Sequence, residues 1–275
     1  MFSISRKLRR EEKTVGFVAT MGALHEGHLA LVKEARQRCD IVIVSIFVNP
    51  TQFNEDADLE KYPRDLTADA ATLAEYDVDY VFAPDASEIY PVDFSTYVNV
   101  EGLTETLEGA SRPGHFRGVA TVVTILLNTV RPDLAFFGQK DAQQVAVIKR
   151  LATDLGFETE IVVVPTVREE SGLAMSSRNS LLTDEEREKA VVIIEAIREA
   201  KLEFKKGERN ASDLAEIVKR RIADEPLARL DYVAIVNCDS LQPIEKIGDE
   251  ETLIVIAVYF GIIRLIDNVI LNRKQ

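Results

Sequence analysis

The sequence predicts an α/β protein, with a Rossmann-like parallel sheet in an N-terminal domain and a smaller α+β domain after it. Three observations carry this prediction. Through the first half of the chain, runs of β-formers alternate with stretches of helical periodicity, the pattern of βαβ units. One run, 41–48 (IVIVSIFV), is almost unbroken in its apolarity, as a strand buried on both faces of a parallel sheet requires. Near residue 180 the order changes to helices followed by strands, which marks a separate α+β unit.

Taken in order, residues 15–20 form a short apolar strand ending in Thr-Met-Gly. Residues 28–39 carry apolar side chains at helical spacing. Strand 41–48 follows, then helix 66–76 and strand 80–83. Residues 119–130 read as a buried helix and 134–137 as a strand. Helix 142–155 is closed by Gly156, a left-handed cap residue, and strand 160–164 is stopped by Pro165. Thr183 with Asp184, Glu185 and Glu186 behind it opens a charged helix running to Lys206, with Gly207 as its stop. A helix over 210–223 is capped by Asn210 or Ser212, and strands 231–236, 253–259 and 262–271 complete the chain. The domains are therefore expected at 1–178 and 179–275, and no internal repeat is visible.

The 275 residues are 46% hydrophobic, enough for a proper core. The 46 acidic and 33 basic residues leave a net charge of −13. Such a surface repels nucleic-acid phosphate and anionic lipid, so neither is an expected partner. Cys39 and Cys238 lie far apart and form no CxxC pair, which excludes a disulfide scaffold and a cysteine-rich zinc site. Both read as small buried hydrophobes. The N-terminal MFSISRKLRREEK lacks an apolar stretch after its basic residues, so it does not read as a secretory signal, and the cytoplasm is the expected compartment. Residues 252–271 are as long as a membrane span, but Gly261, Arg264, Asp267 and Asn268 interrupt them. Charge at membrane depth is expensive, so two strands joined near Gly261 are the better reading.

The chemistry gathers around three histidines, His25, His28 and His115. Each lies in a polar, glycine-containing segment, and none has core-like sequence surroundings. Met21 to His28 follow the first strand and open the first helix, where α/β folds hold phosphate on free N–H groups and the helix dipole. Gly22 and Gly27 have Walker-like spacing, but His28 and Leu29 stand where that loop has Lys and Ser/Thr. No GxGxxG occurs, and the histidine pair is not HExxH. Two histidines at a helix N-terminus suit a triphosphate, because they can donate to oxygens whose charge grows as pyrophosphate leaves.

His25-Glu26-Gly27-His28 is an HxGH signature and resembles the nucleotidylyltransferase superfamily. Further motifs narrow the likeness: Phe47 to Phe53 (FVNPTQF), Tyr62-Pro63-Arg64, Ser111 to Val119 (SRPGHFRGV), Phe137 to Gln144 (FGQKDAQQ), Met175 to Asn179 (MSSRN) and Arg264 to Asn268 (RLIDN). Together these are similar to the pantoate–β-alanine ligase family. That resemblance implies an ATP-dependent ligase that forms pantoyl adenylate and then joins it to β-alanine, releasing AMP and pyrophosphate. It implies an ATP site at Met21, Gly22, Ala23, Leu24, His25, Glu26, Gly27 and His28, with His28 as proton donor and His25 as its partner. Gly138, Gln139, Lys140, Asp141 and Val167 would also touch ATP, with Lys140 on phosphate. Met175, Ser176, Ser177 and Arg178 would close over the phosphates, with Lys140 and Arg178 among the catalytic groups. Gln52 and Gln144 would hold pantoate. Asp69, seven residues after Tyr62, matches an acidic position associated with Mg²⁺. The resemblance further implies a homodimer. An acyl adenylate hydrolyses in water, so a lid is expected, and the C-terminal domain, hinged near residues 178–182, is the candidate.

Three positions depart from the family pattern: Ala19 in place of Pro, Thr51 in place of Met, and Gln139 in place of a frequent Glu. None removes a group needed for phosphate chemistry. Singly, each motif also has a bland reading: Asn49 and Gln52 as turn residues, Ser176 and Ser177 as a cap, Lys140–Asp141 as a surface ion pair. Two other functions compete. An HxGH nucleotidyltransferase would keep AMP on its product and need no amine. A non-catalytic nucleotide-binding module would bind ATP without turnover.

Overall fold

The computed structural model describes residues 1–53, 59–60 and 62–272. Its contacts divide the chain into two compact units: Met1–Gln139 with Gln143–Pro165, and Lys140–Ala142 with Thr166–Gln275.

The first unit contains α1 (Phe2–Arg10), β1 (Val15–Thr20), α2 (Glu26–Arg38), β2 (Ile41–Ile46), α3 (Leu66–Ala74), β3 (Tyr80–Phe82), α4 (Ala86–Ile89), α5 (Glu108–Ser111), α6 (His115–Val130), β4 (Leu134–Gly138), most of α7 (Ala142–Asp154) and β5 (Glu160–Val164). The five strands form a parallel sheet in the order β3-β2-β1-β4-β5. Val42, Ile43 and Val44 are fully buried at 0% exposure, which is why this strand is apolar at successive positions. Strand order reverses between β1 and β4. A crevice at the carboxyl ends of strands opens at such a switch point, and the two strands end there in Thr20 and Gly138.

Local chemistry explains where the boundaries differ from the sequence reading. Helix α2 begins at Glu26 because the His25 ring serves as its N-cap. Helix α6 begins at His115, directly after Gly114 in the left-handed region. Helix α1, not expected from the sequence, buries only Ser5 and Leu8 among its nine residues, too few apolar positions to show a period.

The second unit carries α8 (Asp184–Lys189), α9 (Val192–Lys206), α10 (Ala211–Ala223) and an antiparallel sheet of β6 (Ala228–Asn237), β7 (Thr252–Phe260) and β8 (Ile263–Ile270) in that order. Ile193, Ile197, Leu214, Ile222, Ile254 and Ile256 belong to one buried cluster here. The central strand β7 is buried at nearly every position, hence its membrane-like apolarity. Gly261, at φ +55°, turns β7 into β8. Among the described residues no helix is long and apolar enough to cross a membrane. The single helix expected from Asp184 to Lys206 is two, parted at the fully buried Ala190. Residues 166–178, grouped with the N-terminal domain on sequence grounds, join the second unit by contacts. There Arg168 grips Asp267 with both guanidinium nitrogens, at 2.7 and 3.0 Å.

Candidate active site

The loop after β1 is built around a left-handed turn. Gly22 has φ +84° and Ala23 φ +51°, a region that suits glycine and costs other residues energy. Thr20, at the strand end, donates to the Ser45 carbonyl at 2.8 Å and accepts the Gly22 N–H at 3.3 Å. The chain then enters α2 through a reciprocal cap. The Gly27 N–H donates to His25 Nδ1 at 3.1 Å, and the His25 backbone N–H donates to His28 Nδ1 at 3.4 Å. The two rings lie 4.1 Å apart between centroids. A neutral imidazole that accepts at Nδ1 carries its proton on Nε2. The cap therefore leaves each ring with an N–H donor on its other side, at the positive end of a thirteen-residue helix. Glu26 is exposed and pairs with Lys33 at 3.7 Å.

The turn after β2 is organised by Asn49, 1% exposed. Its amide donates to Gln52 Oε1 and to the Gly118 carbonyl, each at 3.1 Å. Its Oδ1 accepts from the Tyr90 hydroxyl at 2.7 Å and the Thr51 hydroxyl at 2.9 Å. Burial of the Tyr90 hydroxyl raises its pKa, against the lowering effect of its bonds to Thr51 and Asn49. Gln52 Nε2 meets Met21 Sδ at 2.7 Å, so Gln52 and the first loop share one wall. His115, expected outside the core, is in fact buried at 8% exposure. Its Nδ1 lies 2.9 Å from the Gln52 carbonyl and its Nε2 3.3 Å from Arg112. These contacts hold the turn that carries Gln52.

Gly138 ends β4 and Gln139 opens the 3₁₀ turn after it, both in the first unit. Gln144 stands half-buried in the first turn of α7. Its neighbour Gln143 is buried, accepting the Glu108 N–H at 2.9 Å and donating to the Leu103 and Thr106 carbonyls at 2.8 Å each. One glutamine of the pair is thus structural, a distinction the dipeptide itself does not make. Asp69, expected at a metal, is buried and turns both oxygens onto the first loop, accepting the Ala23 and Leu24 N–H groups at 3.0 Å each.

The second unit has its own cleft, lined by Lys140, Ser176, Arg178, Asn179, Arg264 and Asp267. Ser176 Oγ accepts the Arg178 N–H at 3.2 Å, capping the 3₁₀ turn Ser177–Leu181. Met175 donates its N–H to the Val167 carbonyl at 2.9 Å. Lys140 lies 3.4 Å from Asp141. Two supports were not evident from the sequence. Asn268 donates to the Lys140 carbonyl at 2.8 Å, and Asn179 donates to Glu169 at 2.7 Å and to the Ala174 carbonyl at 3.0 Å. Lys140, Arg178 and Arg264 line this cleft, Lys140 beside Asp141 and Arg264 held by Asp231 at 2.8 Å; such ammonium and guanidinium groups are the side chains that pair with phosphate oxygens.

Comparison with known proteins gives matches along nearly the whole chain. The model of the pantoate-beta-alanine ligase family matches residues 1–270. Pantothenate synthetase from Pelotomaculum thermopropionicum is 52% identical over 268 residues, covering 98% of this chain and 95% of that one. The same enzyme from Carboxydothermus hydrogenoformans is 54% identical, covering 96% and 93%. A crystal structure of pantothenate synthetase from Thermus thermophilus superposes with a TM-score of 0.92 at 46% identity, covering 98% of each chain. A Francisella tularensis pantoate-beta-alanine ligase, solved as a complex described as containing beta-gamma ATP and beta-alanine, superposes at 0.78 with 38% identity, covering 99% and 97%.

Proposed function

Because the chain belongs to the pantoate–β-alanine ligase family, we propose how its own residues divide the two-step reaction. In the first step a pantoate carboxylate oxygen attacks the α-phosphorus of ATP, and the bond to the β-phosphate oxygen breaks to release pyrophosphate. In the second, the β-alanine amine attacks the acyl carbon of the adenylate. The acyl–phosphate bond breaks, AMP leaves with the electron pair, and the amine gives up a proton.

The observation that carries the assignment is the paired His25–His28 cap at the switch point of the sheet. Rings that accept at Nδ1 carry the proton on Nε2, the kind of donor that would serve the phosphate oxygens that gain charge as pyrophosphate departs. His28 is assigned as the proton donor and His25 as its partner. The 21–28 segment receives ATP on its backbone, with Gly138, Gln139, Asp141 and Val167 as further nucleotide contacts. Gln52, held by Asn49, binds pantoate with Gln144. Lys140, Met175, Ser176, Ser177 and Arg178 are assigned to the phosphates, and the cationic cleft of the second unit supports that role. Mg²⁺ arriving with ATP would be held mainly by phosphate oxygens and water and would supply neutralisation of the phosphate charge, as its preference for few protein carboxylates allows. Among the described residues no group of three or more His, Cys, Asp or Glu is placed to hold an ion.

The cytoplasm is the proposed compartment. The proposed assembly is a homodimer, which sedimentation would report as twice the 30.7 kDa chain mass. The function is tested by pyrophosphate release from Mg-ATP with pantoate, with β-alanine, and with both. Pantoate alone is expected to give one burst equivalent, and both substrates sustained turnover with AMP. An adenylated product needing no amine would favour a nucleotidyltransferase. ATP binding without pyrophosphate release would favour a binding module.

A further inference from the structure

We infer that Asp69 is a positioning residue for the histidine pair, clamping the loop that enters α2, and is not a ligand of Mg²⁺. This rests on the adenylation chemistry proposed above.

Asp69 sits in the first turn of α3 and is 6% exposed. A buried carboxylate accepts hydrogen bonds and donates none, so its oxygens must find donors. Here Oδ2 takes the Ala23 N–H and Oδ1 the Leu24 N–H, both at 3.0 Å. The loop is shaped to admit it. A Cβ on Gly22 would lie 2.8 Å from Asp69 Oδ2, and Gly22 adopts φ +84°. Ala23, at φ +51°, is held in a conformation that costs a non-glycine residue energy and persists only when its surroundings enforce it. The carboxylate is the enforcing group. Leu24 is bonded to His25, whose own N–H donates to His28 Nδ1 at 3.4 Å. The line of control runs from Asp69 through the Leu24 amide and the His25 backbone to the tautomer and direction of the His28 ring.

A metal role fits this geometry poorly. Both oxygens face N–H donors, whose positive ends repel a cation. Among the described residues Asp69 belongs to no group of three or more His, Cys, Asp or Glu that could hold an ion.

Asp69→Asn in the full-length protein tests the inference, since it sets an amide NH₂ against one of the two loop N–H groups. Pyrophosphate release with pantoate is expected to lose about 10²-fold in kcat, the scale of a small misplacement at the reacting centre. The Mg²⁺ concentration for half-maximal rate should not move. A second readout is independent of turnover. With only three histidines in the chain, ¹⁵N imidazole spectra resolve each ring, and the Nε2–H pattern of His28 should be lost in the variant. Gly22→Ala keeps the carboxylate but drives it from the loop, and should give the same spectral change, so the test survives if Asp69→Asn does not fold. The inference is overturned by either of two results: a tenfold or greater rise in the Mg²⁺ requirement with rate recovered at excess Mg²⁺, or wild-type His28 spectra in both variants. If the wild type itself releases no pyrophosphate with pantoate, the adenylation reading fails, and the spectra still decide the clamp.

Discussion

At the scale of single residues, two side chains carry definite expectations. Removing the Nε2–H donor by His28→Ala is expected to slow pantoate-dependent pyrophosphate release by about 10²–10⁴-fold, the usual worth of a positioned proton donor. A rapid-quench assay of the burst would show it, and an unchanged burst would remove His28 from the chemistry. Cys39 is buried behind β1, and desolvation pushes its thiol from 9.0 up to about 11. It should therefore resist iodoacetamide at pH 8 in the folded protein and react once urea unfolds it. The sign of the linked stability follows. The fold favours the neutral thiol, so this contribution is complete below about pH 9 and fades as pH climbs towards 11. Urea midpoints measured across that interval should fall. His115 belongs to the same scale: its neighbours Gly114 and Arg117 look polar, yet the ring is buried. Polarity along the chain reports local composition and does not report which partners arrive from residues 49–52.

At the scale of elements, glycine sets how closely α6 approaches the turn after β2. A Cβ on Gly118 would lie 2.4 Å from the Thr51 carbonyl oxygen and 2.8 Å from the Gln52 nitrogen. Gly118→Ala should cost about 1–3 kcal/mol, the scale of overpacking, and shift Gln52. Thermal melts and the KM for pantoate would both report it, and a normal KM with a lowered Tm would separate packing from the substrate wall. The strands and the main helices were legible from pattern, because α10 meets its core through side chains repeated at helical spacing and β7 through a nearly continuous apolar run. Short or mostly exposed elements such as α1, α4 and α5 were not, since few of their residues are buried. The pause at Ala190 between α8 and α9 was also hidden, because both helices are good helix-forming sequence.

At the scale of the whole molecule, the chain holds two compact units, each with its own buried cluster. Arg168→Ala would strand Asp267, whose side chain is 3% exposed, and breaking such a buried pair costs about 3–5 kcal/mol. Amide exchange should accelerate in β7 and β8 and stay at wild-type rates in β1 and β2, as expected of units that open separately. Uniform acceleration would mean one cooperative block. The sequence by itself determined the α/β class, the order of the main elements, the placing of two histidines at a helix start and the family, because periodicity and motif chemistry depend on near neighbours; that His25 caps the helix came from the fold. Only the tertiary structure decided that Gln143 is structural while Gln144 stands apart from that network, that Asn268 supports Lys140, and that Asp69 reaches back 46 residues to hold Ala23. Those partners meet through packing of distant segments, and nothing in the local pattern around each residue encodes which backbone group will satisfy it.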